Sequence, residues 1–344
     1  MKSYAVLTVL AALLACSACR DAATTESDTS AMLARGTDLF AQGGETSLRE
    51  AIDVFEGCVE AAPDYAPCYA GLARTYTSIG GSYNIMAPDE AWPAAREAAE
   101  KAVALDDELA AAHLALAEVI AGQDWNWTAA EQEYQRAIEL DSDDFQTLIS
   151  HAWFLYNVGR DGEATATVAR VRELAPEFSL LYLEYVLTGD TDRAKDGLDE
   201  LIASDPQNPG GYWFNANLHA REGEYEEAAE QLQKQIPLMD GDVVDEVALL
   251  GHVYARMGRE VEAREMLGRL DELPSEGRYV SPVNKAWIYA GLGEVDQTLD
   301  LLREGVETRA HRSGLGMPSF AFVYEPISDD PRFGALLDEI GLPE

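Results

Sequence analysis

VALLGHVYARMGREVEAREMLGRLDELP, residues 247–274, decides how the rest of the chain is read. Val247, Leu250, Gly251 and Tyr254 recur at helical spacing on one face. Gly258 follows where that helix should stop, because glycine adopts the left-handed cap that ends a helix without a steric penalty. Ala263 stands five residues later in a second helical run. A small side chain there lets two antiparallel helices approach closely, so the segment predicts a helix–turn–helix hairpin.

The same pattern continues in both directions. The alanine recurs at Ala51, Ala95, Ala130, Ala164, Ala194, Ala228 and Ala263, with Thr298 in the last place, at successive spacings of 44, 35, 34, 30, 34, 35 and 35. In later units a glycine stands five residues ahead of it, at Gly159, Gly223, Gly258 and Gly293, in GRDGEA, GEYEEA, GREVEA and GEVDQT. Apolar residues follow four and seven positions on, and an Asp/Pro-type break comes near twelve on: Phe55, Cys58 and Pro63; Tyr134, Ala137 and Ser142; Val168, Val171 and Pro176. Proline ends a unit because a helix can begin with it but not run through it. One hairpin cannot bury its apolar face alone, so neighbours must stack.

This pattern resembles the tetratricopeptide repeat, whose period is about 34 residues. Tyr69, Leu72, Ala73 and Tyr76 fit the first helix of the second unit, as Val247, Leu250, Gly251 and Tyr254 fit that of the seventh. The resemblance implies an all-α, right-handed superhelical solenoid of about eight repeats over residues 31–307, with a C-terminal capping segment over 308–344. Departures are extra residues around Gly43–Ser47, an insertion over Thr77–Asp89, and a shortened fifth unit near Leu187–Thr191 whose first helix is in doubt. The segments LDDELAAAHLALAEVIAGQDWNWTAAEQEYQRAIELDSD (Leu105–Asp143) and SDDPRFGALLDEIGLPE (Ser328–Glu344) look like the repeat regions behind proteobacterial class III nucleotide cyclases, winged-helix regulators and some kinases. There the repeats are accessory or sensory regions; no cyclase, kinase or DNA-binding part accompanies them here.

The chain opens MKSYAVLTVLAALLACSAC. Lys2 supplies a positive n-region, and Ala5–Ala15 is too short to span a bilayer but suits a signal-peptide core. Leu13-Leu14-Ala15-Cys16 resembles the lipobox of bacterial lipoproteins, which implies signal-peptide removal over 1–15 and lipidation of Cys16. Cys19 and an ordinary signal peptide are the alternatives. Ser17 rather than aspartate after Cys16 implies, by the same resemblance, an outer-membrane lipoprotein facing the periplasm. Residues 16–30 contain the polar run RDAATTESDTS (Arg20–Ser30) and read as a flexible tether. Export exposes cysteines to oxidation. Cys58 and Cys68 lie five residues on either side of Pro63 and come level in an antiparallel hairpin, which predicts a disulfide between them. The alternative is two small residues filling a tight contact.

The formal charge is −37, from 62 acidic and 25 basic residues. Nucleic-acid binding needs a basic footprint, so this balance argues strongly against it, and membrane contact is expected through the N-terminal lipid only. The lysines are Lys2, Lys101, Lys195, Lys234 and Lys285. Such a surface fits either work in high salt or plain solubility.

No motif for catalysis stands out: there is no G-x-S-x-G, P-loop or dinucleotide fingerprint. His113, His151, His219, His252 and His311 lie in different units without metal spacing, so neither metal nor cofactor is expected. Asp141-Ser142-Asp143-Asp144 opens like a calcium loop but lacks its glycine and closing glutamate, and reads as an inter-repeat turn. Trp125 and Trp127 read as packing between helices, and Asn126-Trp127-Thr128 as a glycosylation sequon by pattern alone.

Function should then lie in the concave groove. The groove-facing positions of the repeat family fall on Trp153, Tyr156 and Asn157 in the fourth unit, Trp213, Asn217 and Arg221 in the sixth, and His252 and Arg256 in the seventh. Aromatic and arginine side chains are common interface anchors. Asn217, Arg221 and Arg256 would form a donor cluster similar to the carboxylate-gripping groove of some family members. The leading expectation is a non-catalytic adaptor that binds a protein or peptide in the cell envelope. The alternatives are a sensory or ligand-binding module and, much less favoured, an enzyme, for which paired titratable groups in a cleft would be needed.

Overall fold

The computed structural model describes residues 28–81, 83, 85–176, 180–239, 244–276, 278–309 and 318–342. Helices follow one another as hairpins: α1 (residues 28–42) and α2 (Glu45–Ala61); α3 (Ala66–Gly81) and α4 (Pro88–Leu105); α5 (Ala110–Val119, continued as a π-helical turn Ile120–Asp124) and α6 (Trp127–Leu140); α7 (Phe145–Asn157) and α8 (Asp161–Leu174). Then come α9 (Leu181–Thr188) and α10 (Thr191–Ser204); α11 (Pro209–Arg221) and α12 (Tyr225–Gln235); α13 (Val244–Arg256) and α14 (Glu260–Glu272); α15 (Pro282–Leu292) and α16 (Val295–Glu307). A C-terminal arm closes the chain, made of a 3-10 segment (Pro318–Ile327) and α17 (Pro331–Ile340). Among the described residues the chain is an all-α solenoid with no strand.

The repeated alanine explains the pairing. Ala51, Ala95, Ala130, Ala164, Ala228, Ala263 and Thr298 are completely buried, and Ala194 is 2% exposed. Each lies where a larger side chain would force its two helices apart. Gly258 adopts φ 75° after α13, and the Arg259 amide bonds back to the Tyr254 carbonyl, the six-to-one bond of a Schellman cap. Gly189 does the same job at φ 70° after α9, five residues before Ala194. The fifth unit therefore keeps a short first helix, and the doubt about it is resolved in favour of the repeat. The insertion in the second unit is partly spent on lengthening α3 to Gly81, with Trp92 of α4 buried against Gly81 and Gly122. Helix α1 begins at residue 28, inside the stretch expected to be tether.

Between units the chain turns on side-chain caps. Asp144 accepts from the Gln146 and Thr147 amides at the start of α7, and Asp141 accepts from the Asp143 amide. The acidic run 141–144 is thus an inter-repeat turn, with the Asp141 and Asp144 carboxylates on backbone N–H groups and Asp143 paired with Arg170 at 2.8 Å. Cys58 and Cys68 form a disulfide across the turn from α2 to α3, with Cα atoms 6.1 Å apart. Both cysteines are buried.

In two places the first helices of successive units pack directly on each other, α3 on α5 and α13 on α15. At Gly251 the approach is so close that a Cβ would lie 2.4 Å from the Ile288 side chain. This tighter side is the inside of the curve. The curvature brings the two ends of the solenoid together: Arg278, after α14, makes an ion pair with Glu45 at the start of α2, and Glu45 also accepts from Arg49 at 2.7 Å.

Candidate interaction groove

The inner face carries two groups of side chains. In the first, Trp153 of α7 stacks on Tyr182 of α9 at 6.3 Å and meets Tyr156 edge-on at 6.1 Å. Tyr182 in turn stacks on Phe214 of α11 at 5.3 Å. Arg221, at the end of α11, donates from Nη1 to the Tyr156 hydroxyl at 3.5 Å. Tyr185 donates to Glu222 at 2.6 Å. Burial pushes the Tyr182 phenol well above its ordinary pKa, and burial together with Glu222 does the same to Tyr185, so both are neutral donors. Helical spacing places Trp153 and Tyr156 on one face, and the short α9 brings Tyr182 and Tyr185 up beside them. A cavity of about 350 Å³ opens here between Trp153, Leu181, Leu201 and Phe214.

The second group lies at the arm. His252 is fully buried, and its Nδ1 lies 2.8 Å from the Trp287 carbonyl oxygen. A carbonyl only accepts, so Nδ1 carries the proton and Nε2 is left as an acceptor. Burial lowers the His252 pKa to about 4. Arg256 bonds to Glu325 of the arm at 3.0 Å and lies over the Tyr225 ring at 5.3 Å. Phe322 of the arm meets His252 at 6.3 Å, Phe320 stacks on Trp287 at 4.9 Å, and the Trp287 indole N–H donates to the Tyr324 hydroxyl at 3.0 Å.

The arm reaches further. Its 3-10 segment touches α7, and the Trp127 indole N–H donates to the Ile340 carbonyl at 3.3 Å. Arg309 lies 3.9 Å over the Trp125 ring. Trp125, Trp127 and Trp213 all pack against the same apolar cluster as the arm. The arm therefore crosses the inside of the superhelix from the eighth unit towards the third and fourth.

Of the residues expected in the groove, Trp153, Tyr156 and Arg221 come together, and His252 and Arg256 come together at the arm. The donor cluster of Asn217, Arg221 and Arg256 does not form. Asn217 is 1% exposed and returns its amide to the Trp213 carbonyl at 2.9 Å, while Arg221 and Arg256 bond to Tyr156 and Glu325 respectively. Asn157 is half-buried at the end of α7. The repeat pattern does not single out Tyr182, Phe214, Tyr225 or the arm's aromatics. Tyr182 and Phe214 sit on first helices at helical spacing, a signal the shortened fifth unit obscured. Each described histidine has surroundings of its own: His113 bonds Glu133 at 2.6 Å, His219 bonds Glu224 at 2.6 Å, and His151 packs between the Tyr134 and Phe154 rings. Among the described residues no group of three potential metal ligands occurs. Cys16, Cys19 and His311 lie outside the described residues.

No protein-family model matches the chain, and no curated protein matches it. Solved structures do. The human IFIT1 dimer with m7Gppp-AAAA is 16% identical, with 91% of this chain and 71% of that chain covered and a TM-score of 0.58. The APC/C hetero-tetramer Cut9–Hcn1 is 14% identical, with 90% of this chain covered and a TM-score of 0.56; the chain spans 55% of its length. The fold is a tetratricopeptide-type solenoid. At these identities the likeness extends to the backbone architecture and to nothing that those proteins bind.

Proposed function

We propose that this solenoid is a non-catalytic scaffold that binds a protein or peptide partner along its inner face, anchored in the bacterial cell envelope by a lipid on Cys16. The observation that carries the reading is the cluster in which half-buried Trp153 and Arg221 stand on buried Tyr156 and Tyr182, offering one indole and one guanidinium held in place by two phenols on a strongly acidic chain. Such side chains supply large contact area at low entropic cost and dominate interface energies. Trp213→Ala or Arg221→Ala should weaken binding of a crosslinked and identified partner by about 2 kcal/mol or more, with the fold intact. Unchanged binding by both variants removes this face as the binding site.

The lipobox-like junction and Ser17 support placement in the outer membrane, facing the periplasm. Cys16→Ser should abolish fatty-acid labelling and leave an unprocessed precursor. Labelling that persists there and disappears in Cys19→Ser moves the site to Cys19.

The cavity beside Trp153 favours a second reading, a ligand-binding or sensory module, since about 350 Å³ suits a small apolar molecule. A small molecule retained through purification and released on denaturation supports that reading; co-purification of one envelope protein supports the scaffold.

A further inference from the structure

The arm fits its seat imperfectly. His252 Nε2 is an acceptor buried without a donor, and Arg256 Nη1 is buried without an acceptor. Both lie on the stretch of α13 that the arm covers, next to Phe322 and Glu325. A buried polar atom left without a partner is costly, so proteins rarely leave two in one contact unless something else can satisfy them. The remaining arm contacts have the grammar of peptide recognition. Phe320 stacks on Trp287, Phe322 meets His252, and the Glu325 carboxylate reaches Arg256, so three arm side chains each meet a receptor side chain of their own. Phe322 is half-buried and the Glu325 side chain is 70% exposed, so the arm's hold at this end is partial.

We propose that the face of α13 and α15 is a peptide-binding site occupied by the arm as an intramolecular stand-in. Its occupant in trans is a peptide that adopts the same 3-10 turn, with two aromatic residues two positions apart, a carboxylate three further on, and a hydrogen-bond donor for His252 Nε2. The inference rests on the peptide-binding reading above and deepens it. The intruding peptide takes the arm's contacts and satisfies the two orphaned atoms as well, so it displaces residues 318–327 while the core of the arm around Val323 and Tyr324 sets how much must open.

The probe is a fluorescein-labelled peptide PSFAFVYEPI, the sequence of residues 318–327, titrated into the full-length protein. A chain carrying Phe322→Ala and Glu325→Gln should bind it at least tenfold more tightly than the native chain, and adding Arg256→Gln should return the affinity to the native level. Equal affinity for the native and arm-weakened chains, or no binding to either, overturns the proposal. Should the double variant fail to fold, native-state hydrogen exchange on the unaltered protein decides. Amides of residues 318–327 should exchange at least tenfold faster than those of α15. Exchange of arm and α15 together, only on global unfolding, overturns it. Failure of the probe to bind while Trp213→Ala or Arg221→Ala still weakens a verified partner discards this site and keeps the scaffold reading.

Discussion

Arg256 Nη2 donates to Glu325 Oε2 across 3.0 Å, tying the first helix of the seventh unit to a residue 69 positions further along the chain. The carboxylate is 70% exposed, so solvent screens the pair and its worth is below about 1 kcal/mol. Trp287, fully buried beneath the same arm, is another matter. Glu325→Ala should change the free energy of urea unfolding by less than about 1 kcal/mol, whereas Trp287→Ala should lower it by about 3–5 kcal/mol. Comparable losses from the two would mean that the ion pair, and not the aromatic stack, holds the arm.

The Cys58–Cys68 bond closes a loop with a sequence separation of 10. Chain-entropy arguments give it roughly 2–3 kcal/mol. Reduction, or Cys58→Ala with Cys68→Ala, should lower the unfolding free energy by that amount, and non-reducing peptide mapping of native material should recover the two cysteines in one fragment. Two free thiols in the oxidised protein would leave the pair as tightly packed small residues.

His252 gives a pH dependence of defined sign. Burial depresses its pKa from an ordinary 6.5 to about 4, so the folded state resists protonation that the unfolded state accepts. The contribution is fully present above pH 6.5 and is lost as the pH falls from there towards 4. Between pH 7 and pH 5 the native protein should lose about 2 kcal/mol more stability than His252→Gln does. Parallel stability profiles for the two proteins would show that His252 titrates normally.

Gly258 and Ala263 test the repeat itself. A side chain at Gly258 must adopt φ 75°, so Gly258→Val should cost on the order of 1–2 kcal/mol through the backbone alone. Ala263→Leu must push α13 and α14 apart and should cost about 1–3 kcal/mol. Thermal melts read both; a neutral Ala263→Leu would mean that the hairpin has room which the buried alanine does not suggest.

The hairpins were legible because their determinants are local. Ala263 and Gly258 lie five residues apart, and helix period, cap chemistry and side-chain size together leave few arrangements. The fifth unit was harder: Gly189 has the right spacing from Ala194, but its first helix runs only from Leu181 to Thr188. The sequence places Trp125 and Trp127 between neighbouring helices, and the partner of Trp127 proves to be Ile340, 213 residues away. Periodicity reports that a face is buried and says nothing of what lies upon it. Asn217 shows the same limit, since its groove-facing register gives no hint that its amide returns to the carbonyl one turn earlier.

The meeting of Arg278 with Glu45, and of the arm with the third, fourth, seventh and eighth units, changes the mechanics of the chain. An open stack of repeats stretches like a spring and frays from either end, each unit answering only to its neighbours. Here the coil is closed by a clasp and braced by a spoke. Pulling on one end loads the far end at once, and a unit in the middle cannot loosen without moving the hub. Local release of residues 318–327 aside, unfolding of the repeats should therefore be all-or-none, with a break in any one repeat felt around the whole ring.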